Sequence, residues 1–218
     1  MALYPDHLWP VMIHIKQGLM VVYKSIRSMK IYLLRHTKPD IPLDTCYGQT
    51  DIDIVADAFE KKLTKIQSLL PVKQLGIIYS SPLKRCLKLA KTLYQDHIEF
   101  KTDSRLKELN FGDWELRKWS TLDGEAMRRW KDDFVHARAP GGESHMDLYL
   151  RAEQFWHEVT AKDQEQMLLV THGGVIKSLL SKLLEMPLRK SYAIKIHYGE
   201  LIYIDYRSNH TVQLEFLT

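Results

Sequence analysis

Along this chain the apolar positions change period every ten to twenty residues. Residues 31–34 form a nearly continuous apolar run, the pattern of a strand buried on both faces. Residues 53–70 switch to helical spacing, with Val55, Phe59, Leu63, Ile66 and Leu70 on one side. Residues 75–79 read as the next strand. Ser81 and Pro82 then open a helix as cap and first residue, and Leu83, Cys86, Leu87, Ala90 and Tyr94 make its buried stripe. Residues 98–101 are a weaker strand. Ser144 with Asp147 caps a helix that carries Leu148, Ala152, Phe155 and Val159 on one face. Residues 167–171 are a strongly apolar strand, and Gly173-Gly174 leads into a helix through Leu184. Residues 199–206 and 211–217 read as two closing strands about a Ser208-Asn209 turn. This alternation predicts an α/β fold, a mostly parallel central sheet with helices on both faces. Ligands of such sheets sit outside the carboxyl ends of the strands.

The first 28 residues stand apart from that pattern. Their apolar stretches at 11–13 and 19–23 are interrupted by His14, Lys16 and Gln17, so none reaches the roughly 18 residues of a membrane helix. Basic residues follow the apolar part and no small-residue cleavage site comes after them, which is not the order of a signal peptide. Residues 1–28 are therefore expected to be an extension ahead of a single domain at 29–218, and the protein to be soluble and cytoplasmic. At 218 residues and 45% hydrophobic, the chain can build one substantial core. A net charge of +4, from 31 basic and 27 acidic residues spread throughout, describes a solvated surface and gives no reason to invoke nucleic acid. Cys46 and Cys86 have neither metal-ligand spacing nor the density of a disulfide scaffold, which favours a reducing compartment.

Four polar pieces fall just past predicted strands: Arg35-His36-Thr37, Ser81 to Arg85, the stretch around Glu108, and His172-Gly173-Gly174. A phosphate monoester dianion repels nucleophiles, so its oxygens must be neutralised first. Arg35 and Arg85 offer planar, permanently charged forks for that task. Arg85, with Lys84, occupies the first turn of a helix, where the macrodipole disfavours a cation unless an anion is held there. His36 is the candidate nucleophile, attacking phosphorus through one ring nitrogen while a carbonyl holds the proton on the other. His172, if protonated, would stabilise charge on the equatorial oxygens, and Gly173 lets backbone approach the phosphate at a helix N-terminus. Glu108 is the candidate proton donor to the departing alkoxide. No cluster of His, Asp and Glu has metal-ligand spacing, so neither metal nor cofactor is expected.

Taken together, the Arg-His pair at 35–36, Ser-Pro-x-x-Arg at 81–85, Arg-Leu-x-Glu-x-x-Phe-Gly-x-Trp-Glu at 105–115, Pro-Gly-Gly-Glu-Ser at 140–144 and Thr-His-Gly-Gly at 171–174 resemble the histidine phosphatase (phosphoglycerate mutase-like) superfamily over residues 30 to about 206. The resemblance implies a phosphohistidine on His36, an acid then base at Glu108, and a phosphate held by Arg35, Arg85 and His172 without metal. Three positions depart from the usual pattern: Thr37 stands where glycine is usual, Leu116 where glycine is common, and Pro42 about where an asparagine is often found.

Two further stretches, Cys46 to Asp51 and Trp130 to Pro140, resemble the alpha-ribazole phosphatase subfamily, which removes a 5′-phosphate from the lower-ligand nucleoside of cobalamin. That resemblance implies substrate contacts at Tyr47, Gln49, Trp114 and Glu143, and a helical cap at about 117–139 that chooses the substrate. Trp114, Trp119, Trp130 and Tyr47 are candidate stacking surfaces, although tryptophans at such spacing are as often core. The expected partner is a small-molecule phosphomonoester, with no nucleic acid and no membrane, and a homodimer stays open. Two other readings remain at this stage: a phosphoglycerate mutase or broad sugar-phosphate phosphatase using the same five residues, and a non-catalytic phospho-ligand-binding module. The last would be expected to lack the nucleophile or the acid, and neither is missing.

Overall fold

The computed structural model describes residues 8–15, 18–25, 28–207 and 211–218. Strands β1 (Leu8–Ile15) and β2 (Gly18–Ser25) pair antiparallel as a separate two-stranded sheet, from Leu8 opposite Ser25 to Ile15 opposite Gly18. The remaining strands form one six-stranded sheet. In chain order they are β3 (Ser28–Arg35), β4 (Ile77–Ser80), β5 (Glu99–Thr102), β6 (Gln166–Thr171), β7 (Leu201–Arg207) and β8 (Val212–Phe216). Their spatial order is β5-β4-β6-β3-β7-β8. The first four of these run parallel, and β7 and β8 close one edge antiparallel. The expected Ser208-Asn209 turn lies outside the described residues.

Period-two alternation on these strands builds two cores. Ile31, Leu33, Ile77, Tyr79, Met167 and Leu169 face α4 (His145–Thr160) and α5 (Gly173–Leu183), which contribute Phe155, Trp156, Val175 and Leu179. Tyr32, Leu34, Ile78, Leu168 and Val170 face the opposite way, toward α1 (Ala56–Leu69) and α2 (Lys84–Leu93). Every residue of β4 is buried because both faces are covered. A third, smaller core lies in the segment expected to form a cap. There Cys46, Trp114, Leu122, Met127 and Ala139 pack together with Trp119 and Trp130 around α3 (Gly124–Asp132). Cys46 and Cys86 are both free and buried. Among the described residues, no helix is long and apolar enough to cross a membrane.

Local signals explain most element boundaries. Ser144 and Asp147 form the expected capping box at the start of α4. The expectation for α2 needs correction. Its N-cap is Leu83, without a side-chain cap, and Ser81 points instead at His172. Leu116, standing where glycine is common, takes φ +63° and is 61% exposed. An L-residue in that region carries on the order of 1 kcal/mol of strain that glycine would not.

Candidate active site

The carboxyl ends of the four parallel strands deliver the expected residues to one place. Arg35 ends β3 and His36 follows it, Arg85 lies in the first turn of α2 after β4, Glu108 follows β5 and His172 follows β6. The rings of His36 and His172 are 5.1 Å apart, nearly edge to face. His36 is 1% exposed, while Arg85 and His172 are fully buried.

The hydrogen bonds fix the tautomers. His36 Nδ1 lies 2.7 Å from the Thr37 carbonyl oxygen, which can only accept, so Nδ1 carries the proton and Nε2 keeps its lone pair. His172 Nδ1 accepts from Arg85 Nε at 3.3 Å, so its proton sits on Nε2, which donates to Ser81 Oγ at 2.8 Å. Burial foremost, then the charges of Arg85 and Arg35, hold His36 neutral well below the ordinary histidine range, against a smaller opposing pull from the Thr37 carbonyl. Burial and then Arg85 do the same to His172. As placed, His172 is held neutral beside Arg85, and the protonated form expected from sequence would need the charge of an anion beside it.

Arg85 also donates from Nη1 to Thr50 O at 2.8 Å and from Nη2 to Gly48 O at 2.6 Å, leaving the second hydrogen of each terminal nitrogen for a ligand. Arg35 lies between the Tyr198 ring, 4.1 Å from its Cζ, and Gly173, where an added Cβ would come within 3.4 Å of the guanidinium. It donates to Ile196 O at 2.5 Å. Its Nε–H and the buried Thr37 hydroxyl have no partner among the described residues. Both are donors suited to phosphoryl oxygens.

Glu108 is held by two backbone donors, Leu109 N–H at 2.9 Å and Gly174 N–H at 3.2 Å. A side chain at position 174 would fall on its Oε1 and within 2.9 Å of Leu148, so this glycine makes room for the carboxylate. Gly48 is needed for a similar reason, since a Cβ there would collide with the Leu109 carbonyl oxygen.

Arg35 and Glu108 open onto a cavity of about 220 Å³, with His36, Arg85 and His172 buried behind its lining. Arg35, Glu108, Gly173 and Gly174 line its floor, and Tyr47, Phe111, Trp119, Lys177 and Tyr192 are among its walls. Tyr47 bonds the Tyr198 hydroxyl at 2.8 Å. Of the substrate contacts expected from sequence, only Tyr47 faces this cavity. Gln49 bonds the Glu108 carbonyl and shapes the floor from behind. Trp114 is corrected to cap core, at 4% exposure. Glu143 is corrected to an ion pair with Arg151 at 2.9 Å.

A family model described as the histidine phosphatase superfamily (branch 1) matches residues 31–217. The chain belongs to that superfamily. It is 26% identical over 177 residues to the adenosylcobalamin/alpha-ribazole phosphatase of Escherichia coli, covering 78% of this chain and 87% of that one. The glucosyl-3-phosphoglycerate phosphatase of Mycolicibacterium vanbaalenii is 30% identical over 175 residues, covering 74% and 77%. Among solved structures, the alpha-ribazole phosphatase of Shigella flexneri shares the fold with a TM-score of 0.78 at 24% identity, covering 86% of this chain and 95% of that one.

Several residues of this histidine phosphatase site escaped sequence reasoning. Glu115 accepts from the Thr50 hydroxyl and from the N–H groups of Gln49, Thr50 and Phe111, stapling two loops together. Burial alone would raise its carboxyl, but these bonds outweigh burial and hold it below the ordinary range. Lys177 was visible in principle, because spacings of three and four from Gly174 and Gly173 put it on their helix face. Nothing local marks Tyr198 or Arg151.

Burial of neutral histidines has a measurable consequence for stability. His36, His145 and His172 are all nearly inaccessible, and all three lie below the ordinary value of 6.5, His145 at about 4, chiefly through burial. As pH falls below about 6.5 the unfolded chain gains a proton at each of these positions and the folded chain does not. Stability should therefore drop by up to about 1.4 kcal/mol per pH unit for each histidine. Urea midpoints measured between pH 7 and pH 5 should fall steadily, and a flat profile would show that these rings protonate within the fold.

Proposed function

We propose that this histidine phosphatase hydrolyses a phosphomonoester through a phosphohistidine on His36, with alpha-ribazole 5′-phosphate as the substrate the site fits best. Arg35 and Arg85 take the phosphoryl oxygens. His36 Nε2 forms the N–P bond as the ester P–O bond breaks, and Glu108 gives its proton to the departing alkoxide. Glu108, now a carboxylate, removes a proton from water as the water oxygen attacks phosphorus. The N–P bond breaks, orthophosphate leaves, and the free imidazole and the protonated acid return.

The observation that supports the substrate is the wall beyond Glu108. Phe111 and Trp119 meet edge to face at 5.2 Å, Trp119 stacks on Trp130 at 6.1 Å, and Tyr192 stands on another side. A flat base on a ribose can lie against such a surface. The curated relatives named for alpha-ribazole support the same reading.

One observation favours a second reading, a substrate with a carboxylate beside its phosphate. Lys177 lines the cavity over the Tyr192 ring at 4.4 Å, and its ammonium has no hydrogen bond or ion pair among the described residues. Burial chiefly lowers its pKa, with Glu108 opposing and Arg35 adding to the effect.

The two readings separate by measuring kcat/KM for alpha-ribazole 5′-phosphate, ribose 5-phosphate and 3-phosphoglycerate. Stacking of a base is worth about 1–3 kcal/mol, so alpha-ribazole 5′-phosphate should exceed ribose 5-phosphate by roughly 5- to 150-fold. Lys177→Met should leave that ratio unchanged. Preference for 3-phosphoglycerate, lost in Lys177→Met, would put the carboxylate reading in its place.

A further inference from the structure

Arg151, nearly two turns into α4, spends its whole guanidinium on the loop that carries Glu108. Nε donates to Glu143 Oε1 at 2.9 Å. Nη1 donates to the carbonyls of Arg105 at 2.7 Å and Lys107 at 2.6 Å. Nη2 donates to the carbonyl of Glu108 at 2.8 Å and to Glu143 Oε2 at 2.9 Å. All five N–H donors of an arginine are thereby used. Glu143 continues the clamp, because its Oε2 also accepts the Asn110 N–H at 2.9 Å. The pair is mostly buried, with side-chain exposures of 16% and 22%.

The loop needs such a device. Between the 3-10 turns at Ser104–Leu106 and Gly112–Trp114 it belongs to no helix or strand, so no ladder satisfies its carbonyls. Glu108 must nevertheless meet a leaving oxygen and then a water to within a fraction of an ångström. The Leu109 and Gly174 amides orient its carboxylate, but they cannot fix the backbone from which it springs. Three carbonyls gripped by one planar cation can.

We propose that Arg151, itself oriented by Glu143, is a positioning residue for Glu108, serving proton transfer and not phosphate capture. This rests on the reading of Glu108 as general acid and base. Lysine at 151 keeps the charge but replaces a five-donor plane by a point, which cannot span Arg105, Lys107, Glu108 and Glu143 together.

The test compares two esters of the same phosphoryl group, p-nitrophenyl phosphate and ribose 5-phosphate, by the rate of His36 phosphorylation in single-turnover experiments on the full chain. With ribose 5-phosphate, whose alkoxide must be protonated, Arg151→Lys should slow phosphorylation about 10²-fold, the scale of misplacing a catalytic group by 1 Å. With p-nitrophenyl phosphate the loss should stay under about threefold, since that leaving group needs no proton. Inhibition by inorganic phosphate should be unchanged, and Arg151→Lys added to Glu108→Gln should cost nothing more. Should Arg151→Lys fail to fold, Glu143→Gln removes one charged acceptor of the clamp and should show the same ester dependence at smaller size. Equal losses on both esters in either variant, or losses that multiply with Glu108→Gln, would overturn the clamp while leaving the acid intact. Equal losses on both esters in Glu108→Gln itself would remove the acid, and the clamp with it.

Discussion

His36→Ala should abolish turnover and acid-labile phosphoryl labelling together. The expected loss is on the order of 10⁵–10⁶-fold, the scale seen when a covalent nucleophile is removed. One lone pair decides the role. His36 Nδ1 is committed to the Thr37 carbonyl, which leaves Nε2 free of its proton and able to form the N–P bond. Burial and two arginines keep the ring neutral to acidic pH, so the nucleophile should not need deprotonation in the neutral range. No other group in the cluster is so prepared, since the free lone pair of His172 is occupied by Arg85 Nε–H. Labelling with a ³²P-phosphomonoester, quenched in alkali and compared with an acid quench, reads the step directly. The unfolding midpoint of the variant should stay close to that of the parent. Persistent acid-labile label on a folded His36→Ala protein would move the nucleophile to His172.

The reason so much of this site was legible is geometric. A parallel strand buried on both faces is a short apolar run, and the chain leaves it at its carboxyl end. A polar residue just past such a run is therefore placed almost without further information. Arg35, His36, Arg85 and His172 were all found that way, and the structure brings them together. The same logic fails for residues held by loops. Trp114 and Glu143 sit in motif-like stretches, yet one belongs to the cap core and the other to the Arg151 clamp. Their side chains answer to partners distant in sequence, which periodicity cannot see. Arg151 is the extreme case, a single arginine on an amphipathic helix that reads as solvated surface until its five acceptors are in view. Ser81 looked like a helix cap because serine before proline usually is one. Its hydroxyl accepts weakly from the Leu83 N–H at 3.4 Å and more closely from His172 at 2.8 Å, a tertiary contact that outranks the local rule.

Glu108→Gln and Arg85→Ala should fail in different ways, and the difference assigns their roles. Glutamine keeps the shape of Glu108 and its carbonyl oxygen can still accept from one of the Leu109 and Gly174 amides, but its NH2 cannot accept from the other and it has no acidic proton to give. A ribose alkoxide is strongly basic and cannot leave unprotonated. Phosphorylation of His36 by the ribose ester should therefore slow by on the order of 10²–10⁴-fold in Glu108→Gln, the usual contribution of a general acid. p-Nitrophenolate departs as a stable anion, so its ester should phosphorylate His36 at close to the parent rate. The second half-reaction still needs a base for water, and phosphoenzyme should accumulate as a burst with that activated ester. Arg85→Ala removes a charge from the phosphoryl group that both esters share. Both should suffer alike, with no burst, because the loss precedes the difference between the leaving groups. The buried carbonyls of Gly48 and Thr50 would also lose their donor, so Arg85→Lys is the companion variant that keeps the charge. Equal slowing of phosphorylation by both esters in Glu108→Gln would make Glu108 a positioning group. Glu143 could not take over as acid, because both of its oxygens are committed to Arg151 and Asn110 and it does not line the cavity.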